Sequence, residues 1–150
     1  MTDIERIVWG ALGGLAIYVI GQLLSKFAIE PIYELRKSMG EVRFNLAFHG
    51  PTIHTPIGRS KESSDAARDA LLRNSSDLFA KLHAVPFYAV MRLPFSCVLP
   101  GRKSVEHAAV LLRGLSTYVH QEGEKADASL EDIRERVTKI ESLLLMEPLD

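Results

Sequence analysis

The chain has 150 residues, with 18 basic and 19 acidic side chains and a formal net charge of −1. A near-neutral chain lacks the positive field with which proteins hold nucleic acid polymers, so no such partner is expected. Cys97 is the only cysteine, which excludes an intramolecular disulfide. The length suits one membrane anchor and one compact domain.

The first informative segment is the run IVWGALGGLAIYVIGQLL, from Ile7 to Leu24, which contains no charged residue. As a helix it would be ~27 Å long, close to the thickness of a bilayer's hydrocarbon core. The preceding MTDIER is not basic, and Ser25-Lys26-Phe27 is a poor cleavage site. An uncleaved transmembrane helix is therefore predicted, with a signal peptide or a buried core helix as alternatives.

Basic residues near the ends of this run predict its orientation. Arg6 precedes it but is offset by Asp3 and Glu5. Four basic residues follow it, namely Lys26, Arg36, Lys37 and Arg43. The domain after the anchor is therefore expected to be cytoplasmic.

Glycines within the run indicate a surface for self-association. Gly10 and Gly14 form a GxxxG pair, and Gly21 lies on a similar side of the helix. Such a surface lets two helix backbones approach closely in lipid. These glycines are candidate oligomerisation residues, although glycine is also common in membrane helices generally.

The next segment carries a seam of apolar residues at spacings of 3, 4, 3 and 4. The seam consists of Ile32, Leu35, Met39, Val42 and Leu46. This spacing predicts a helix with one apolar side, and Pro31 predicts a kink or a restart at its beginning. The seam is a second candidate oligomerisation surface, in a parallel stalk, or it packs on the chain's own core.

The remaining sequence predicts further helices separated by loops. Residues 49–64 are expected to form a loop, and Ser64 to cap a helix that ends near Leu82. A short helix is expected in PFYAVMRL, followed by a helix capped by Ser104. A second 3-4-3-4 seam begins at Leu130, after a capping box that starts at Ser129.

These patterns predict an all-α protein, because no segment shows sustained strand alternation. One N-terminal transmembrane helix is followed by a small helical bundle of about five helical segments. The expected divisions are a tail and anchor at 1–26, a juxtamembrane amphipathic helix at 27–48, and a cytoplasmic helical domain at 49–150.

Three segments together resemble a family of uncharacterised small bacterial proteins. They are EPIYELRKSMGEVRFNLAFHG, DAARDALLRNSSDLFAKLHAVPFY and KSVEHAAVLLRGLSTYV, and the similar region spans roughly residues 27–119. Members of that family have one N-terminal membrane helix and a cytoplasmic helical domain. The resemblance implies a bacterial inner-membrane location and implies no activity.

The sequence offers no catalytic or metal-binding signature. Its five histidines and one cysteine do not have the spacing of a zinc site, and there is no Gly-x-Ser-x-Gly motif. A protein without enzymatic activity, metal or cofactor is therefore expected.

One segment does suggest a binding site for an anion. Arg102, Lys103 and Ser104 lie at a predicted helix start, where backbone N–H groups and the helix dipole favour negative charge. Arg59 and Lys61 lie in a second basic loop and would complete the site if the two loops converge. Alternatively, these are exposed basic residues or contacts to lipid headgroups.

Two functions are compatible with these features. The first is a membrane-anchored scaffold that binds a protein partner or self-associates through its anchor and seams. The second is a membrane effector controlled by a small anionic ligand, such as a nucleotide.

Overall fold

A computed structural model describes residues 2–54, 60–96, 98–119 and 124–147, and these residues contain helices but no strands. The α-helices are α1 (Asp3–Leu24), α2 (Glu30–Phe48), α3 (Gly50–His54), α4 (Lys61–Ala84), α5 (Tyr88–Arg92), α6 (Arg102–Tyr118) and α7 (Glu124–Leu143). A π-helical turn at Ser25–Ile29 joins α1 to α2, and a 3₁₀ turn at Leu93–Phe95 follows α5. The predicted all-α fold, with a long apolar N-terminal helix followed by a helical bundle, is confirmed.

No part of the described chain packs over α1. None of its residues is buried, and it is long and apolar enough to span a membrane. At its start, the backbone N–H of Thr2 donates to Glu5 Oε2 at 2.8 Å. The alternative of a buried core helix is therefore wrong for this chain.

The junction between α1 and α2 is continuous rather than kinked into two separate helices. In the π-helical turn the N–H of Glu30 donates to the carbonyl of Ser25, five residues back. Pro31 has no N–H, and its ring would clash with the carbonyl four residues earlier in an α-helix. A π-helical turn holds one extra residue and so accommodates the proline at the start of α2.

The bundle begins with α2 and α4, which run antiparallel. Asn45 Nδ2 donates to Asn74 Oδ1 at 3.1 Å. Nearer α1, Lys81 Nζ lies 3.8 Å from Glu34 Oε2. The carboxyl end of α4 therefore lies beside the beginning of α2.

Helices α6 and α7 complete an up-and-down four-helix arrangement. The hydroxyl of Ser75 donates to the carbonyl of Ala109 at 2.8 Å, which places α6 antiparallel to α4 across their short connection. Helix α7 returns beside α6, where the Arg136 guanidinium lies 5.1 Å from the centre of the Tyr118 ring.

The seam on α2 lies in the chain's own core. Its five residues, Ile32, Leu35, Met39, Val42 and Leu46, are all buried with apolar residues of α4, α6 and α7. A partner helix cannot reach these side chains while the bundle is intact. The seam is therefore not an oligomerisation surface in this structure, which adopts the intramolecular alternative.

Several predicted boundaries differ from the observed ones. Ser60, not Ser64, caps α4, because its Oγ accepts from the Ser63 N–H at 3.1 Å. The predicted loop at 49–64 contains α3, and α7 begins at Glu124, ahead of the predicted cap at Ser129. The α3 segment GPTIH has a weak intrinsic preference for helix, whereas the first turns of α7 contain the strong helix formers Glu124, Lys125 and Ala126, whose preference outweighs the polar character that suggested a linker.

Replacement of Val42 by Asp should destabilise the bundle by more than about 3 kcal/mol, because it would bury an unpaired charge. Val42 is 0% exposed, whereas Val110 on α6 is 55% exposed. Val110→Asp is the matched control and should change stability by less than about 1 kcal/mol. Chemical denaturation in mild detergent, followed by circular dichroism, measures both. Equal effects of the two variants would contradict the placement of α2 in the core.

Candidate functional site

The α1-proximal end of the bundle is the end at which α2 continues into the π-helical turn and α1. Because α4 is antiparallel to α2, its carboxyl end lies there. The connection from α4 through α5 and the start of α6 lie at the same end, since α6 is antiparallel to α4. The turn after α4, helix α5 and the first turn of α6 therefore lie at the end of the bundle where α1 leaves it.

An exposed apolar surface occupies this end. Phe87, Val90 and Leu93 are 80%, 59% and 76% exposed, and they are called the α5 patch below. Phe87 has a φ of 47°, in the left-handed region that bulky residues rarely adopt. Its carbonyl accepts from the N–H groups of Val90 and Met91, at 2.8 and 3.1 Å, which holds the strained residue at the start of α5.

Two hydrogen bonds fasten the α5 segment to the chain that leads into α6. The Tyr88 hydroxyl donates to the carbonyl of Pro100 at 2.8 Å, and Arg92 Nε donates to the carbonyl of Leu99 at 3.2 Å. Burial raises the pKa of Tyr88, against a smaller opposing effect of the Arg92 charge. Tyr88 therefore stays neutral and keeps its donor over the physiological range.

Between these segments lies an open cleft of about 390 Å³. It is lined by Phe87, Tyr88, Ala89, Val90, Arg92 and Arg102. Arg102 Nε also lies 3.1 Å from Glu106 Oε1, one turn along α6. The cleft thus combines an apolar wall with two guanidinium groups, which are suited to bind phosphate or carboxylate oxygens.

The predicted anion site is only partly assembled in the structure. Arg102, Lys103 and Ser104 do form the first turn of α6, after Gly101, but only Arg102 lines the cleft. Sequence reasoning missed Arg92, because a tertiary contact with Leu99 brings it beside α6 and no local pattern marks it.

Lys61, which was expected to converge with the start of α6, does not lie near it. Lys61 lies fourteen residues before Ser75 on α4, whereas Arg102 lies seven residues before Ala109 on the antiparallel α6. At 1.5 Å per residue these two basic residues are roughly 30 Å apart along the bundle. Arg59 lies outside the described residues.

A second cleft, of about 580 Å³, lies towards the other end of the bundle. It is lined by Leu46, Ala47, Gly50, His54, Arg134, Val137, Thr138 and Glu141. Glu141 is buried, and burial also lowers the pKa of the neighbouring His49. Among the described residues, no three His, Cys, Asp or Glu side chains come together as a metal site would require.

The glycines of α1 are open to a partner. A Cβ atom added at Gly10, Gly14 or Gly21 would meet no atom of the described chain within 4 Å. Larger residues would therefore fit at these positions without clashing with other residues of the same chain. Any cost of such a substitution would come from contacts with another molecule.

The π-helical turn decides which part of α2 continues this glycine surface. At ~100° per residue, an uninterrupted helix would place the α1 glycines and the α2 seam within about 20° of each other. The extra residue rotates α2, so that the buried seam points about 120° away from the glycines.

The same rotation brings an exposed strip of α2 into line with the glycines. Tyr33, Gly40, Phe44 and Ala47 lie within about 40° of them and are exposed. We call this combined surface the long-helix face; its members are Gly10, Gly14, Gly21, Tyr33, Gly40, Phe44 and Ala47. It extends through the 46-residue helical stretch Asp3–Phe48.

No protein-family model, curated protein or solved structure matches this chain. Similarity therefore assigns it neither a family nor an activity.

The strain at Phe87 predicts an unusual order of stability for two variants. Phe87→Gly and Phe87→Ala both remove the exposed ring, but only alanine keeps the Cβ atom that disfavours a φ of 47°. The glycine variant should therefore be more stable than the alanine variant by about 1 kcal/mol. Denaturant unfolding of both proteins in the same detergent measures the difference, and an alanine variant of equal or greater stability would refute the left-handed conformation.

Proposed function

We propose that this chain is a membrane-anchored, non-enzymatic interaction protein. In this proposal α1 spans a bacterial inner membrane, the bundle lies in the cytoplasm, and copies associate along the long-helix face. The observation that carries the proposal is the unburied apolar helix α1, which continues into a helix of the bundle without an intervening loop. The bundle then serves as a scaffold held at the membrane surface.

The anchoring rests on the free energy of apolar burial. Water would otherwise surround a helix whose large apolar side chains, including Ile7, Leu15 and Ile20, are more than half exposed. A bilayer removes this surface from water, and the helix satisfies its own backbone hydrogen bonds there.

The orientation rests on the distribution of basic residues. Lys26, Arg36 and Lys37 follow the apolar segment closely, whereas Arg6 before it lies 4.0 Å from Asp3. This bias favours retention of the bundle on the cytoplasmic side. The inner-membrane location follows the resemblance to small bacterial membrane proteins.

Self-association rests on the long-helix face. In lipid, open glycines allow close helix packing, and below the membrane Tyr33 and Phe44 offer exposed apolar surface on the same side of the helix. A second copy presents the same surface, so a parallel pair related by a twofold axis would cover both at once. The bundle core would stay intact in such a pair, because the seam faces elsewhere.

The Arg92–Arg102 cleft favours a second candidate function. A small anionic ligand bound between these guanidinium groups would link α5 to α6 and control the arrangement of the anchored copies. Such a ligand would also raise the stability of the folded bundle by mass action.

The first prediction of this proposal concerns attachment. The full-length chain should remain with membranes after washing with high salt and alkali, because apolar burial is not screened by ions. A reporter fused after residue 150 should show cytoplasmic activity. Recovery of the protein in the soluble fraction would refute the anchor, and an externally active reporter would reverse the orientation.

The second prediction concerns self-association. Gly14→Ile should weaken it about tenfold, because the added side chain separates the two backbones. Gly13→Ile is the matched control: it adds the same side chain about 100° around the helix, where a built Cβ also meets nothing. Energy transfer between labelled copies in lipid vesicles, measured over a range of dilutions, compares the two.

Circular dichroism should show that both variants keep the helical content of the parent protein. Equal dissociation by both substitutions would exclude a specific glycine surface. A parent chain that is monomeric at every dilution would refute self-association itself.

A further inference from the structure

We propose that the α5 patch and the two cleft arginines dock onto the surface of the same membrane that holds α1. The bundle would then contact the bilayer at two places, through its anchor and through α5. This inference rests on the membrane anchoring proposed above and adds a lipid-binding surface to it.

Position is the first argument for this surface. Glu34 and Lys81 lie at the same level of the bundle, and Leu24, the last residue of α1, is ten residues or ~15 Å from Glu34. Helix α4 runs three residues, or ~4.5 Å, beyond Lys81 towards α1 and ends at Ala84, and Phe87 follows in the turn after it. The end of α4 is therefore about 10 Å from the level of Leu24, close to a headgroup layer ~5–7 Å thick.

The chemistry of the exposed side chains is the second argument. A phenylalanine, a valine and a leucine project from one short segment, and the chain covers none of them. Packing within the chain does not offset the energetic cost of the left-handed conformation of Phe87, because its ring is 80% exposed. Insertion into the boundary between headgroups and acyl chains would bury this ring and offset the cost of the strain.

Charge is the third argument. Arg92 and Arg102 flank the apolar residues of the cleft, and Lys26 lies at the same end, next to α1. Each arginine engages its Nε, with Leu99 or Glu106, and the described residues provide no hydrogen bond to the terminal guanidinium nitrogens. Those nitrogens can donate to lipid phosphates while the apolar residues enter the layer below.

This combination favours a membrane over a soluble anion as the occupant. A soluble anion would engage the arginines but leave Phe87, Val90 and Leu93 in water. A lipid surface offers both phosphates for the arginines and an apolar layer for these three side chains. Docking would also fix the rotation of the bundle about α1 and so determine the direction in which the long-helix face points.

Tryptophan fluorescence in lipid nanodiscs tests this proposal with the full chain. Trp9 is the only tryptophan, and it reports the insertion of α1 when lipids brominated near the headgroup quench its emission. In a Trp9→Phe background, Phe87→Trp should be quenched about twofold by the same lipids. Val110→Trp in that background is the matched control, because Val110 is exposed but lies ~12 Å farther along α6 than Arg102.

The outcomes separate this inference from the anchoring on which it rests. Quenching of Trp9 and of the tryptophan at 87, but not of that at 110, would support docking. Quenching of Trp9 alone would leave the anchor in place and overturn docking. Absence of Trp9 quenching would overturn both. A blue-shifted emission at 87 that depends on protein dilution but not on brominated lipid would identify a second copy as the occupant and would also overturn docking.

A further comparison isolates the arginine contribution. Arg102→Gln should reduce the quenching at position 87 about twofold, whereas Lys61→Gln, which removes the same charge at the far end of the bundle, should not. Equal effects of the two substitutions would overturn the assigned role of Arg102.

Discussion

Pro31 imposes the constraint on which the arrangement of the two halves of this protein depends. It cannot donate a hydrogen bond within a helix, and the chain accommodates it through the π-helical turn that precedes it. The helix therefore passes from α1 to α2 without a loop, but the extra residue rotates α2 by ~100° about the helix axis relative to an uninterrupted helix. That rotation turns the seam into the bundle and aligns exposed Tyr33, Gly40 and Phe44 with the glycines of α1. The α1 glycines, Tyr33 and Phe44 thus lie exposed on one side of the long helix, while Ala47 on the same side borders the cleft beside α7.

Two adjacent polar residues of α4 help to define how the bundle assembles around this helix. Asn74 accepts a hydrogen bond from Asn45 on α2, and Ser75 donates one to the Ala109 carbonyl on α6. Apolar packing alone tolerates shifts along a helix, whereas a buried polar group loses stability when its partner moves. These bonds therefore favour one register and bring α5 and the start of α6 to the α1-proximal end.

The α1-proximal end also carries features that are unusual for a surface exposed to water. A bulky residue adopts a left-handed conformation, apolar side chains are exposed, and arginines lie beside them. A soluble bundle would gain stability by relieving the strain and replacing these side chains with polar ones. Their presence at the end where α1 leaves the bundle is the feature that the proposed docking onto lipid would explain.

Helical periodicity is a local property, so the all-α fold, the long apolar first helix and the buried sides of α2 and α6 could be predicted from residue spacing alone. The 3-4-3-4 spacing from Ile32 to Leu46 indicated an apolar side and favoured packing on the chain's own core, but it left a partner helix as an alternative. The packing of the helices shows that the chain's own core, including α4, covers this side. It also separated Lys61 from Arg102 and placed Arg92 in the cleft, since such distances depend on the direction in which each helix packs. The π-helical turn likewise escaped prediction: Pro31 signalled an interruption, but only the three-dimensional backbone shows how an extra residue is absorbed and which face it turns outward.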